Sequence, residues 1–257
     1  MTIANAIILG IVEGVTEYLP ISSTGHLILA SDILGLTSGD FVRTFEISIQ
    51  LGAILAVAVL YWRRFFIDRS MVKKILVAFV PTALVGFAMY AVIKSVLLGS
   101  TAVVLWSLFF GGIALILFEH WYKEKEHLTR SLDTVTYRQS FFIGLAQSAS
   151  VIPGISRAAA TILGGLFIGL DRKTVVEFSF LLAVPTMAAA TGYDLFKSAG
   201  GFMFDDFRLL FIGLTTSFGV AVLAVKFFLR YIESHSFVAF GIYRIAVSLG
   251  FWIFFFH

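Results

Sequence analysis

Glu13 and Glu17 stand four residues apart, His26 follows them closely, and Arg157 lies far along the chain in Pro153-Gly154-Ile155-Ser156-Arg157. A spacing of four puts the two carboxylates on one face of a helix, one turn from each other. Ser22, Ser23 and Thr24 fill the gap between Pro20 and His26. All of these residues sit in apolar surroundings. A charge at bilayer depth costs on the order of 2.5–3.5 kcal/mol on insertion scales, so three charges and an imidazole there point to a wet polar cavity with a task. Hydroxyls, helix N-termini and a guanidinium suit an anion. Two carboxylates would repel that anion unless a divalent cation lay between them, and hard oxygen ligands suit Mg²⁺ or Ca²⁺. An anion cradle, a carboxylate pair and a histidine together read as metal-assisted phosphoryl transfer.

These residues need elements that hold them inside a bilayer. The 257 residues are 59% hydrophobic and 14% charged, well below the roughly 25% charge of soluble domains. Mean hydropathy is +0.94. Six segments have spanning length, at Phe41–Trp62, Val72–Ile93, Thr101–Glu119, Thr174–Phe196, Phe207–Leu229 and Phe237–Phe256; a ~30 Å core needs about 20 apolar residues. Two further apolar segments, Thr2–Leu36 and Gln139–Ile168, are cut by Pro20 and Pro153. The residue before a proline is pushed out of the helical region, so a helix should end near each. Ser22, Ser23 or Thr24, and Ser156, then offer N-caps for a second helix. Each half is too short to cross alone. The expected fold is an all-α integral membrane protein, with six transmembrane helices plus two re-entrant helix–loop–helix hairpins whose tips lie near the midplane.

Loop charges orient it. Arg63, Arg64, Arg69, Lys73 and Lys74 lie in one connection, Lys123, Lys125, Arg130 and Arg138 in another, Arg172 and Lys173 in a third. Alternate connections carry only Lys94, or Lys197 with Asp205 and Asp206. The positive-inside rule puts the first group in the cytoplasm. The first hairpin then enters from outside, the second from the cytoplasm, and both termini end outside. That is an inverted repeat: repeat 1 over about 1–120, a cytoplasmic loop over about 121–138, repeat 2 over about 139–257, all one membrane domain. Gly10–Glu13 matches Gly144–Gln147 in spacing, Ser22 matches Ser156, and Gly35-Leu36 matches Gly169-Leu170. Inverted repeats with broken helices commonly build a site at the midplane. Cysteine is absent, so thiol chemistry is excluded, and the net charge of +3 is loop bias that gives no reason to expect nucleic acid. Met1-Thr2-Ile3-Ala4-Asn5 lacks the basic region of a signal peptide.

Glu13-Gly-Val-Thr-Glu17-Tyr-Leu-Pro-Ile-Ser22-Ser23-Thr24-Gly25-His26 resembles the first signature of bacterial undecaprenyl-diphosphate phosphatases of the bacitracin-resistance type. Pro153-Gly154-Ile155-Ser156-Arg157-Ala158-Ala159-Ala160-Thr161 resembles the second, although Ala158-Ala159 stand where the family commonly has Ser-Gly. The resemblance covers essentially the whole chain. It implies hydrolysis of undecaprenyl diphosphate to the monophosphate in the bacterial inner membrane, recycling the carrier for cell-wall polymers and conferring bacitracin resistance. It also implies functional roles for Glu13, Glu17, Ser23, His26 and Arg157, with Ser22, Thr24, Ser156 and Thr161 as further substrate contacts. Glu13 and Glu17 would place the metal, and Arg157 would hold a phosphate. Two nucleophiles stay open, Ser23 with His26 as its base, or His26 itself; the i,i+3 spacing would let the two side chains meet. The site is expected to open to the outer face, the lipid tail leaving sideways into the bilayer. Whether the chain pairs as a homodimer is left open.

Other buried polar residues read as structural. Arg244 is expected to pair with Glu177 by depth, Glu46 to lie toward the outer end, and Gln147 to support the site by hydrogen bonding. A transporter is the main rival, since broken helices and midplane charges suit one. Ser23-Thr24-Gly25-His26 is similar over a few residues to the Pro-Ser-Gly-His of the phosphatidic-acid phosphatase type, but no suitably spaced histidine or aspartate follows Arg157.

Overall fold

The computed structural model describes residues 1–36, 40–92, 100–122, 128–198 and 204–256. Ile93, Lys94, Lys123 and Lys125 lie outside the described residues, as do the side chains of Lys197, Asp205 and Asp206. The regular structure of the described residues is α-helical apart from two short 3-10 turns, Leu132–Thr134 and Ser148–Val151, and one isolated bridge, Thr129 with Leu170.

Among the described residues, five helices are long and apolar enough to cross a membrane: α3 (Asp40–Leu60), α5 (Arg69–Val92), α6 (Thr101–Trp121), α9 (Arg172–Ser198) and α10 (Phe204–Ile232). The sixth expected span is α11 (Val238–Phe256), whose apolar described stretch is shorter, Val238–Ile253. A five-residue helix, α4 (Trp62–Phe66), joins α3 to α5. The two broken segments fold as expected, each into two short helices. The first gives α1 (Ile3–Thr16) and α2 (Ser23–Ile33), the second α7 (Tyr137–Gln147) and α8 (Arg157–Phe167). With 14, 11, 11 and 11 residues, each reaches only about 16–21 Å at 1.5 Å per residue.

The hairpins enter the bundle from opposite ends. Leu34 and Leu36, after α2, pack in one apolar cluster with Met1, Phe41 and Leu209, so both ends of the first hairpin lie beside the starts of α3 and α10. The second hairpin opens at the other end. There Thr129 N–H donates to the Gly169 carbonyl (2.9 Å) just past α8, and Lys74 Nζ donates to the Asp133 carbonyl (2.8 Å) just before α7. This end also gathers the basic connections. Arg64 pairs with Asp133 at 2.5 Å, Lys173 with Glu233 at 2.8 Å, and Arg172 grips both oxygens of Glu119 at 2.5 and 2.8 Å.

Details of the two halves correspond. Gly10 of α1 lies so close to α10 that a Cβ would stand 2.8 Å from the Gly213 carbonyl; Gly144 of α7 abuts the Ala78 backbone of α5 in the same way. Among described residues, Ser22 (φ 73°) and Ser156 (φ 78°) are the non-glycine positions with positive φ, and Gly35 and Gly169 also have positive φ.

Candidate active site

Each helix stops before its proline. α1 ends at Thr16, with Glu17 N–H still bonding the Glu13 carbonyl at 3.0 Å. α7 passes into one turn of 3-10 helix at Ser148–Val151 ahead of Pro153. The restart is the same in both hairpins. Ser22 caps α2 by accepting from Gly25 N–H, and Ser156 caps α8 by accepting from Ala159 N–H at 3.2 Å. Of the three cap candidates in the first hairpin, Ser22 serves, which frees Ser23 and Thr24. Left-handed backbone at a non-glycine residue costs of order 1–3 kcal/mol and persists where the surroundings over-determine it.

The two tips and the neighbouring walls of α3 and α9 enclose a cavity of about 210 Å³. Glu17, Ser22, Ser23 and Thr24 line it from the first hairpin and Ser156 and Arg157 from the second, so six of the expected residues meet in one place. Both second helices begin at this wall, and their unpaired N–H groups and positive dipole ends favour an anion. The size suits a diphosphate head group with a few waters, at ~30 Å³ per water, and not a long prenyl tail.

Glu17 is the hub. Its Oε2 accepts from the Ser23 hydroxyl, and its Oε1 accepts from Arg157 Nη2 at 2.8 Å. Arg157 Nη1 donates to the Ser179 carbonyl (2.8 Å), its guanidinium lies 5.6 Å from the Tyr18 ring centroid, and its Nε–H has no partner. The guanidinium on the cavity wall is of the kind that suits a phosphate.

The expected meeting of Ser23 with His26 does not occur. His26 Nδ1 bonds the Ser22 carbonyl at 2.8 Å, its Nε2 bonds the Tyr243 hydroxyl at 2.9 Å, and the two rings stack 5.5 Å apart. Ser23, the first residue of α2, turns back to the carboxylate left by α1, while His26 turns toward α11. His26 is therefore off the cavity wall. Thr161 is off it too, bonding Ser179 Oγ at 2.6 Å and steadying the residue that holds Arg157.

Glu13 is fully buried one turn behind Glu17, and both its carboxylate oxygens lack a hydrogen-bond partner. A buried, unpaired carboxylate is costly, so this orphan fits a cation. Among the described residues no group of three His, Cys, Asp or Glu gathers to hold a metal. Mg²⁺ is an ion that one or two carboxylates can hold when its other ligands come from phosphate and water.

Arg244 does not pair with Glu177. Glu177 accepts from Tyr61 Oη at 3.3 Å, and Glu46 accepts from Ser31 Oγ at 2.6 Å. Arg244 instead donates to five backbone carbonyls, because α11 leaves it facing both broken tips rather than α9. Gln147 does support the site: its Nε2 donates to Thr82 (2.8 Å) and to Thr186 (3.1 Å), a cavity residue. Gln50, Ser150, Thr186 and Met187 also line the cavity. Nothing in their sequence spacing marked them. Ser179 was detectable, since Val176–Phe180 parallels Phe45–Ile49. Ala158 and Ala159 are buried in the apolar core and absent from the cavity wall, so the departure from the Ser-Gly pattern leaves the wall intact.

Residues 6–250 match the family described as bacitracin resistance protein BacA. The chain belongs to this family. A protein of Aquifex aeolicus (strain VF5) named undecaprenyl-diphosphatase is 52% identical over 255 residues, covering 99% of each chain. One of the same name from Sulfurihydrogenibium sp. (strain YO3AOP1) is 49% identical over 253 residues, 98% of this chain and 99% of its own. Another from Wolinella succinogenes is 48% identical over 251 residues, 98% of this chain and 97% of its own. Similarity at this level runs through both hairpins of the BacA-type chain.

Proposed function

We propose that the protein hydrolyses undecaprenyl diphosphate to undecaprenyl phosphate and inorganic phosphate, recycling the lipid carrier for cell-wall polymers and conferring bacitracin resistance. The observation that carries this reading is the chain Ser23–Glu17–Arg157, which joins a nucleophile, a base and an anion receptor across the two tips. The diphosphate head enters the cavity, and the tail stays in lipid. Ser23 Oγ attacks the terminal phosphorus as Glu17 accepts the hydroxyl proton. The bond to the bridging oxygen breaks, and undecaprenyl phosphate leaves. Water then cleaves the phosphoserine, releasing phosphate and restoring Ser23. Arg157 and the N-termini of α2 and α8 hold the phosphoryl oxygens as charge shifts among them. His26 acts from outside this relay, fixing the Ser22 carbonyl and so the turn that aims Ser23.

A divalent cation, Mg²⁺ or Ca²⁺, completes the site in this reading. Glu13 and Glu17 would hold it, and it would supply neutralisation of the diphosphate charge.

The two halves form an inverted repeat within a single membrane domain, supported by the opposite-facing hairpins and the matched serines. The basic end faces the cytoplasm of the bacterial inner membrane. The first hairpin, which carries Glu17 and Ser23, then enters from the outer side, and the cavity opens there. A membrane-impermeant thiol reagent should reach a Thr24→Cys variant from outside; labelling from the cytoplasm alone would refute this sidedness.

Detergent-purified protein given undecaprenyl diphosphate should release phosphate in the presence of Mg²⁺ or Ca²⁺ and stop when a chelator is added. Folded protein that releases none would favour transport over hydrolysis.

A further inference from the structure

We propose that Arg244 is the positioning residue of this site, a clasp that locks both hairpin tips to α6 and so sets the geometry in which Ser23 and Arg157 act. For its kinetic consequence, this rests on the phosphatase reading above. Arg244 is fully buried. A guanidinium has five N–H donors in a fixed fork, and here each meets a carbonyl. Nε donates to Leu108 (3.3 Å), Nη1 to Pro20 (3.2 Å) and Ile155 (2.9 Å), and Nη2 to Ser107 (2.9 Å) and Gly154 (2.8 Å).

The acceptors are the informative part. Pro20 belongs to the first tip, Gly154 and Ile155 to the second, and Ser107 and Leu108 to α6. Carbonyls in a broken helix have lost their intrahelical donors and need others when buried. Pro20 and Ile155 lie just upstream of Ser22 and Ser156, the two caps with left-handed backbone. Such conformations endure only where neighbouring structure forces them, and Arg244 grips both approaches at once. The next residues, Ser23 and Arg157, carry the proposed chemistry.

The fold makes room for the clasp. Gly111 of α6 has no side chain where the guanidinium sits, and a Cβ there would lie 2.0 Å from Arg244 Nη2 and 2.8 Å from Cζ. Lysine could not substitute for it: an ammonium keeps the charge but has three donors and no planar fork, so two of the five carbonyls go unmatched and the tips are no longer tied to α6 by one rigid group.

The test compares wild type, Arg244→Lys, Gly111→Ala and Ser248→Ala as purified folded proteins well below their melting temperatures. Gly111→Ala keeps the arginine, displaces its guanidinium and favours helix in α6, so it serves even if Arg244→Lys does not fold. Ser248→Ala removes a buried bond between α11 and α6 (Ser248 Oγ to the Leu105 carbonyl, 2.8 Å) without touching a tip. Misplacement of about 1 Å costs on the order of 100-fold in rate. Arg244→Lys and Gly111→Ala should each lose about that in kcat, exceeding any rise in KM, while Ser248→Ala keeps its kcat. A second readout needs no turnover. The chain has no cysteine, so a nitroxide on Thr24→Cys reports tip motion, and its spectrum should sharpen in Arg244→Lys and Gly111→Ala. Folded variants with wild-type kcat, or an unchanged nitroxide spectrum, would overturn the clasp. A wild type that releases no phosphate would instead sink the phosphatase reading, with the nitroxide still deciding whether Arg244 holds the tips.

Discussion

Glu17 and Arg157 form an ion pair of 2.8 Å across the meeting point of two hairpins that enter from opposite ends of the bundle. Their side chains are 5% and 11% exposed, so the pair is shielded, and losing one partner strands the other charge. Each also has a second duty. Glu17 receives the Ser23 hydroxyl, and Arg157 lines the cavity wall. The contact is thus a join between the halves and, in the proposed mechanism, the start of the reaction path.

Glu17→Gln keeps the shape and removes both the base and the countercharge. Loss of a general base costs 10²–10⁴-fold, so kcat should fall within that range. Breaking one side of a buried pair costs about 3–5 kcal/mol, so the melting temperature should also fall. In Glu17→Gln/Arg157→Gln the stranded charge is gone, and stability should recover while activity does not. Recovery of phosphate release in the double variant would contradict the role given to Glu17.

Ser23 and His26 should separate kinetically. Ser23→Ala removes the attacking oxygen and should lower kcat by several orders of magnitude. His26→Ala and Tyr243→Phe each delete one end of the hydrogen bond between them. Each should cost about tenfold, the equivalent of roughly 1.4 kcal/mol. Because Tyr243→Phe removes one of the two bonds that His26→Ala removes, His26→Ala/Tyr243→Phe should lose little more than His26→Ala alone. If His26→Ala equals Ser23→Ala in severity, the imidazole acts on phosphorus directly.

The sequence made the broken helices legible because proline and serine act locally, at the residue where they stand. Pro20 and Pro153 marked the breaks, and Ser22 and Ser156 became the caps. The i,i+4 relation of Glu13 to Glu17 was equally local. What did not follow was side-chain choice among partners of comparable reach. Ser23 could turn to His26 or to Glu17, and the return of the chain through Leu19–Ile21 decided for Glu17. Arg244 was assigned a carboxylate by depth along a straight helix. Its real partners are carbonyls, three of them at the tips of two broken helices (Pro20, Gly154 and Ile155) and two on α6, which no spacing on α11 reveals.

Glu13 should control the metal requirement. Glu13→Gln is nearly isosteric and removes an orphan buried charge, so folding should be unharmed or improved. The concentration of Mg²⁺ or Ca²⁺ giving half-maximal phosphate release should rise by about 10–100-fold, the usual effect of weakening a metal site's support. Metal titrations of wild type and variant, with melting curves alongside, check both parts. An unchanged metal requirement would remove Glu13 from the cation site.

At the basic end, Asp68 ties pH to stability. Its Oδ1 accepts from Met71 N–H at 3.0 Å, capping α5, and its Oδ2 accepts from Arg64 Nη1 at 3.0 Å. The Met71 bond, helped by the Arg64 guanidinium, holds the carboxyl below its ordinary range. A depressed folded value means the stabilisation is present above the unfolded value of about 3.9 and disappears as pH falls through the folded one. Loss of a cap costs about 1 kcal/mol, so Asp68→Ala should melt a few degrees below wild type at pH 7. That gap should hold to about pH 5 and close progressively as pH falls below about 4. Melting curves across this range check it, and a gap that persists in acid would mean that the cap does not depend on the charge of Asp68.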